Sequence, residues 1–204
     1  MSGCEKQSDI SNHVIARFEG TDITMNEANF YLVVNQVNYE MEYTASYPGE
    51  DIWKMDLLGT GNTLETDVKS SILYELKQMH ILLKKAEEFG IVLDREDEEE
   101  LLVLEEIFRA RYSKDVCEAL HMEEGILQEQ LRNSMLAAKV KEVICTENGW
   151  TAENREEKFL TIYNQWAENY SFTFREVEWS EIHFEQGKYN IIKEEKEENH
   201  EEIN

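Results

Sequence analysis

Apolar residues return every third or fourth position through most of this chain, but its first structured stretch follows a different pattern. His13-Val14-Ile15-Ala16-Arg17-Phe18 is a β-branched, apolar run, and Glu19-Gly20-Thr21-Asp22 then brings turn chemistry before Ile23-Thr24. This predicts a small hairpin. Thr24 and Glu27 have the spacing of a capping box, so a helix is expected to begin at once and run to about Thr44. Its apolar stripe is Phe30, Tyr31, Val34, Val37 and Met41, and Pro48-Gly49 ends the pattern. Residues 50–62 read as a connector with a Gly59-Thr60-Gly61-Asn62 turn.

A long helix is predicted from about Thr63 to Phe89, on Leu64, Val68, Ile72, Leu76, Met79, Leu83 and Ala86, with Gly90 in the position that favours glycine after a helix. Asp94, with Asp97 three positions on, can cap a third helix whose expected buried stripe is Leu101, Leu104, Ile107 and Phe108. A short helix follows over about 113–120. Another spans 122–145 with Ile126, Leu127, Leu131, Met135, Ala138 and Val143 inward. Thr151 opens a further helix carrying Phe159, Ile162, Tyr163 and Trp166, and the alternation in Ser171–Glu176 predicts a strand. The ordered part is expected to end at Phe184.

Composition narrows the function classes. The 204 residues contain 44 Asp and Glu against 20 Lys and Arg, a net charge of −24, with one proline and nine glycines. Scarce Gly and Pro argue against an all-β sandwich built on many tight turns. The charge argues against binding nucleic acid or anionic lipid through a basic surface, since phosphate contact depends on clustered Lys and Arg. Residues 188–204 hold Glu194, Glu195, Glu197, Glu198, Glu201 and Glu202 with few apolar residues. Such a segment buries too little surface to offset its ordering entropy, so 185–204 is expected to be an acidic disordered tail.

The chain carries little catalytic signature. The five histidines are scattered; none forms His-Glu-x-x-His, and His80 and His121 read as helix-surface residues. Gly59-x-Gly61 lacks the third glycine of a dinucleotide loop. The acidic run 94–100 has no central glycine for calcium, and reads as a helix start matched to the macrodipole. No catalytic residue, metal or cofactor is expected. Cys117 and Cys145 lie outside zinc or redox spacing; they read as buried free thiols, with a disulfide open if their helices approach. The strongest lead is aromatic. Tyr39, Tyr43, Tyr47, Trp53 and Met55 cluster around the end of the first helix and the connector. Rings and thioethers there suit either an adaptable peptide-binding surface or the packing of the connector onto the body.

The order of elements carries a resemblance. Val14 to Glu27, Leu82-Leu83-Lys84-Lys85-Ala86-Glu87-Glu88-Phe89-Gly90-Ile91, His121 to Arg132, and Trp166-Ala-Glu-Asn-Tyr170 followed by Phe172, Phe174 and Val177-Glu-Trp179 resemble, in sequence order, the N-terminal domain of SurA- and PrsA-type extracytoplasmic chaperones. The resemblance covers about residues 13–184. It implies one mainly α domain with a small antiparallel β element formed by the N-terminal hairpin and the C-terminal strand. In members with a parvulin-type prolyl isomerase, that domain is inserted before the last helix. Here only Thr146–Trp150 separates Cys145 from Thr151, so the resemblance implies chaperone-like binding of unfolded or extended polypeptide without isomerisation. The start Met1-Ser2-Gly3-Cys4 and the polar stretch to Asn12 resemble the tether of a bacterial lipoprotein, with Cys4 as the lipidated residue and the cell envelope as location, although no apolar signal segment precedes it. An ordinary cytosolic start with an incidental cysteine is the other reading. A scaffold or assembly lipoprotein that binds one specific folded partner is the alternative function.

Overall fold

The computed structural model describes residues 13–120 and 125–189. Its hairpin is β1 (Val14–Phe18) with β2 (Thr21–Thr24), and the two-residue loop holds Glu19 at φ 49° and Gly20 at φ 83°. Two successive left-handed residues are what a tight hairpin needs to match the right-handed twist of its strands. β3 (Phe172–Phe174) joins the other edge of β1, antiparallel, with Ala16 opposite Phe174 and Phe18 opposite Phe172. The order is β2-β1-β3, so a mainly helical chain closes on one small sheet in which the first and last parts of the domain meet.

α1 (Met25–Tyr43) leaves β2 directly. Thr24 has the extended geometry of a cap, yet its side chain makes no capping bond. The expected Thr24–Glu27 box is absent. The Glu27 carboxylate instead meets His80 Nε2 at 2.8 Å, and the His80 ring lies 5.5 Å from that of Phe18. His80 is therefore no surface residue: it ties β1 and α1 to the long helix α2 (Leu64–Phe89), and a hydrogen bond across helices takes the place of a local cap. The stripe of α1 also differs from expectation at its end, where Met41 is exposed and Glu40 is buried.

α2 (Leu64–Phe89) is the axis of the fold. Leu64, Val68, Ile72, Leu76 and Ala86 are buried as expected, and Ile81 and Leu82 join them. Thr63 accepts from the Thr66 amide at its start, and Gly90, at φ 67°, ends it. Around α2 pack α1, the one-turn 3-10 helix Ile52–Lys54, and α5 (Ile126–Glu147). α5 keeps Leu127 buried as expected, with Ile126, Leu131, Met135 and Val143 half-buried, but Gln130, Ala137, Val140 and Ile144 are buried as well and Ala138 is exposed. α5 serves two neighbours, α2 and α3 (Arg95–Arg111), so its apolar surface is broader than one stripe.

α3 departs furthest from the sequence reading. None of its residues is buried; Leu101, Leu104 and Phe108 are half-covered, and Ile107 is 57% exposed. It rests chiefly on α5, so only a narrow strip finds cover. The acidic run does form its first turns, with Asp94 and Asp97 completing a capping box. Lys139 of α5 bonds Asp94 at 2.7 Å and also Asp97, while Arg132 meets Glu98 at 2.6 Å.

Ser113 caps α4 (Lys114–Ala119), whose Ala119 carbonyl accepts from the buried Asn29 amide at 2.8 Å. That bond satisfies one of the free carbonyls at a helix end. α6 (Arg155–Ala167) and α7 (Glu176–Ser180) flank β3 in the chain. Cys145 is buried, Cys117 half-buried, and both are free thiols. The fold continues through a tight turn at Glu185–Lys188 to Tyr189, beyond the boundary expected at Phe184. The tether 1–12 with Cys4, residues 121–124 with His121, and residues 190–204 lie outside the described residues.

Two measurements check this account. Ile72→Ala, at a fully buried position on α2, is expected to cost about 2–5 kcal/mol in chemical denaturation through lost transfer energy and a residual cavity. The Lys139 ammonium, with the backbone amides of the capping box, holds the Asp94 carboxyl down to about 2. A depressed acid adds stability that is complete above its unfolded pKa and is lost as pH falls through the folded one. The Asp94 carboxyl resonance is thus expected to titrate near 2, and in Lys139→Met to move toward 3.8.

Candidate functional site

Of the aromatic cluster expected from the sequence, Tyr39, Tyr43 and Trp53 come together, and Trp53 is covered. Trp53 is buried, at 1% exposure, and Tyr39, Tyr43, Tyr47 and Met55 are half-buried. Tyr39 stacks on Tyr43 at 6.2 Å and meets Trp53 edge-on at 6.3 Å. The cover comes from the chain's own C-terminal segment: the Phe184 ring stacks on Trp53 with centroids 4.2 Å apart, and Ile182 is buried beside it. At Trp53 the rings pack the connector and this segment onto α1 and α2.

The segment is held largely by its main chain. Lys69 donates to the Ile182 carbonyl at 2.7 Å, Glu65 accepts from the Phe184 amide at 3.1 Å, and the Gln36 amide reaches the carbonyls of Glu185 at 2.8 Å and Lys188 at 3.1 Å. Glu40 gathers four donors: Gly187 N at 3.0 Å, Trp53 Nε1 at 3.1 Å, Gln36 Nε2 at 2.8 Å and Tyr189 Oη at 3.2 Å. Burial lowers the Lys69 ammonium, and burial together with the Glu40 carboxylate raises the Tyr189 phenol. Helix side chains here satisfy an irregular stretch that has no sheet partner of its own, as buried main-chain groups require.

Sequence reasoning missed this cradle, yet a signal for it exists. Asn29, Gln36 and Glu40 fall in phase with Leu32 and Val33 on the buried face of α1. Polar groups on a core-facing stripe need partners, and the Asn29 and Gln36 amide N–H groups and the Glu40 carboxylate find theirs in α4, the connector and the C-terminal segment.

A second recess is open to solvent. Between α2, α5 and α6 lies a groove of about 430 Å³ with Leu82, Ala137, Phe159 and Tyr163 in its lining. Leu160, 50% exposed, is on its rim. Lys141 and Glu156 pair across it at 2.6 Å, and the Lys141 ammonium stands 5.5 Å from the Phe159 ring centre. Tyr74 meets Tyr163 edge-on at 6.4 Å, and burial is the main cause that pushes the Tyr163 phenol up to about 12. Leu160 lies off the expected α6 stripe, which is the trace this groove leaves in the sequence.

Among the described residues, no group of three or more His, Cys, Asp or Glu side chains is placed to hold a metal ion. No helix among them is long and apolar enough to cross a membrane. Comparison with protein-family models, with curated proteins and with solved structures finds no match.

Glu40→Ala tests the cradle. It strands the buried Trp53 indole N–H and removes the acceptor of Gly187 and Tyr189, and leaving a buried donor unsatisfied costs about 1–3 kcal/mol. Trp53 emission is expected to shift to the red, and protease sensitivity to rise within 181–189. Glu40→Gln, which keeps one acceptor, is expected to fall between.

Proposed function

We propose that the protein is a non-enzymatic, chaperone-like binder of unfolded or extended polypeptide, akin to SurA- and PrsA-type extracytoplasmic chaperones without the isomerase domain. The observation that carries this reading is the open α2/α5/α6 groove, with Leu82, Phe159 and Tyr163 lining it and Leu160 at the rim. Leu82, Phe159 and Tyr163 are themselves buried, so Leu160 is the apolar group that the recess offers to the side chains an unfolded client exposes. The C-terminal cradle lends support: Gln36, Glu40, Glu65 and Lys69 bond main-chain groups of an irregular segment of this chain. A net charge of −24 favours dispersed rather than self-associated complexes. Lipid on Cys4, with the polar stretch to Asn12 as tether, completes the proposal by placing this body at the cell envelope.

Light scattering from a denatured model protein diluted out of guanidinium measures the activity. The full chain at stoichiometric amounts is expected to suppress aggregation several-fold. Leu160→Glu, at an exposed position, is expected to lose most of that suppression while keeping the wild-type melting temperature. A wild-type chain that leaves the scattering unchanged in excess over client sinks the reading.

A further inference from the structure

The outer face of α3 is a second, separate apolar surface. Leu102, Val103 and Ile107 are 64%, 54% and 57% exposed. Residues three and four apart share a side of a helix, so Glu99, Leu102, Val103, Glu106, Ile107 and Ala110 form one outward face. The inward strip of Leu101, Leu104 and Phe108 already serves the body, where Lys139, Arg132 and Gln128 of α5 reach Asp94, Glu98 and Glu105. α3 is thus apolar on two sides, and the body uses one. Next to Leu102 a groove of about 460 Å³ opens between α3 and α5, with Leu101 and Leu131 in its lining.

Charge decides what fits there. Arg95 pairs with Glu99 at 2.9 Å, but Glu96, Glu100 and Glu106 have no cationic partner among the described residues, and Glu129 lines the groove. A second copy of the chain is poorly matched. Antiparallel pairing of two α3 helices about Val103 sets Glu106 against Glu100 and Arg95 against Arg111; parallel pairing sets every glutamate beside its own copy. An anionic membrane is repelled by the same acids.

We propose that this face docks a cationic amphipathic helix: a partner segment whose apolar stripe covers Leu102, Val103 and Ile107 and whose flanking Lys or Arg side chains meet Glu96, Glu100 and Glu106. Helix-on-helix docking of this kind takes its affinity from i, i+3, i+4 anchors and its selectivity from the flanking charges. The surface is distinct from the α2/α5/α6 groove and stands or falls independently of the function proposed for it.

The test uses the full chain and three synthetic peptides followed by fluorescence anisotropy: a Leu/Lys amphipathic helix, a Leu/Lys peptide of the same composition with the stripe scrambled, and a Leu/Glu amphipathic helix. The Leu/Lys helix is expected to bind at least about tenfold more tightly than the scramble, and the Leu/Glu helix not to bind. The triple variant L102S/V103S/I107S is expected to lose about tenfold in affinity with an unchanged far-UV spectrum. E100Q/E106Q is expected to weaken binding and flatten its salt dependence. L160E is expected to bind as wild type does. Equal affinity for the scramble, or unaltered binding by both the triple variant and E100Q/E106Q, overturns the proposal in favour of diffuse charge attraction. A dimer in sedimentation that the triple variant abolishes overturns it in favour of self-association.

Discussion

Burial of Leu64, Val68, Ile72, Leu76 and Ala86 along α2 fixes where the other large elements can lie, because a helix with such a stripe must be covered along its whole length. α1 and the connector take one part of that stripe and α5 another. The order of chain then leaves β1 stranded beside α1, where β3 comes back to pair with it. Two ends of the domain are joined by this pairing and by the Glu19 amide's bond to the Ser171 carbonyl at 3.0 Å. Closure of the sheet therefore follows from coverage of α2: the hairpin alone would be marginal, and three strands lying on helices are not.

The same constraint explains the buried polar groups. α1 must run against both the α2 stripe and the later segments, so its inner face meets more than apolar surface. Asn29, Gln36 and Glu40 sit there with 3%, 0% and 8% exposure, and nearly every donor and carbonyl they face belongs to irregular chain: the α4 end, the connector, the turn at Glu185–Lys188. An apolar core cannot hold such segments, since their main-chain groups need partners. Polar residues on α1 thus do for the loops what a neighbouring strand would do for a sheet.

How much was legible follows from the range of the interactions. The hairpin, the Asp94 cap, the Gly90 stop and the helix starts near Thr63 and Ser113 depend on neighbours within a few residues, and the pattern found them. The α2 stripe was legible because a single long, regular period leaves one choice of face. Glu27 was misread because its partner, His80, lies 53 positions away in the chain. The α5 face was misread because two different neighbours share it, and the α3 stripe because amphipathic periodicity shows that a helix has an apolar side without showing that anything covers it. Trp53 is legible as a member of the aromatic cluster; that Phe184 lies on it is beyond any local signal.

Charge distributes these differences in stability. Several ion pairs among the described residues, such as Lys84–Glu87, Arg95–Glu99 and Lys114–Glu118, join side chains that are well exposed, and such pairs contribute little and are screened by salt. Removing them would leave α1, α2 and α5 in place, since their burial is apolar. α3 is the exception: with no buried residue, it depends on half-covered side chains and on the bonds from Lys139, Arg132 and Gln128. It is therefore the element whose attachment is most sensitive to pH and ionic strength, and local opening is expected to begin where apolar burial is least. An acidic chain can afford a peripheral helix held in this way only because Lys139 and Arg132 of α5 face its acid-rich start; the opposite arrangement, acid facing acid, would push α3 off the body.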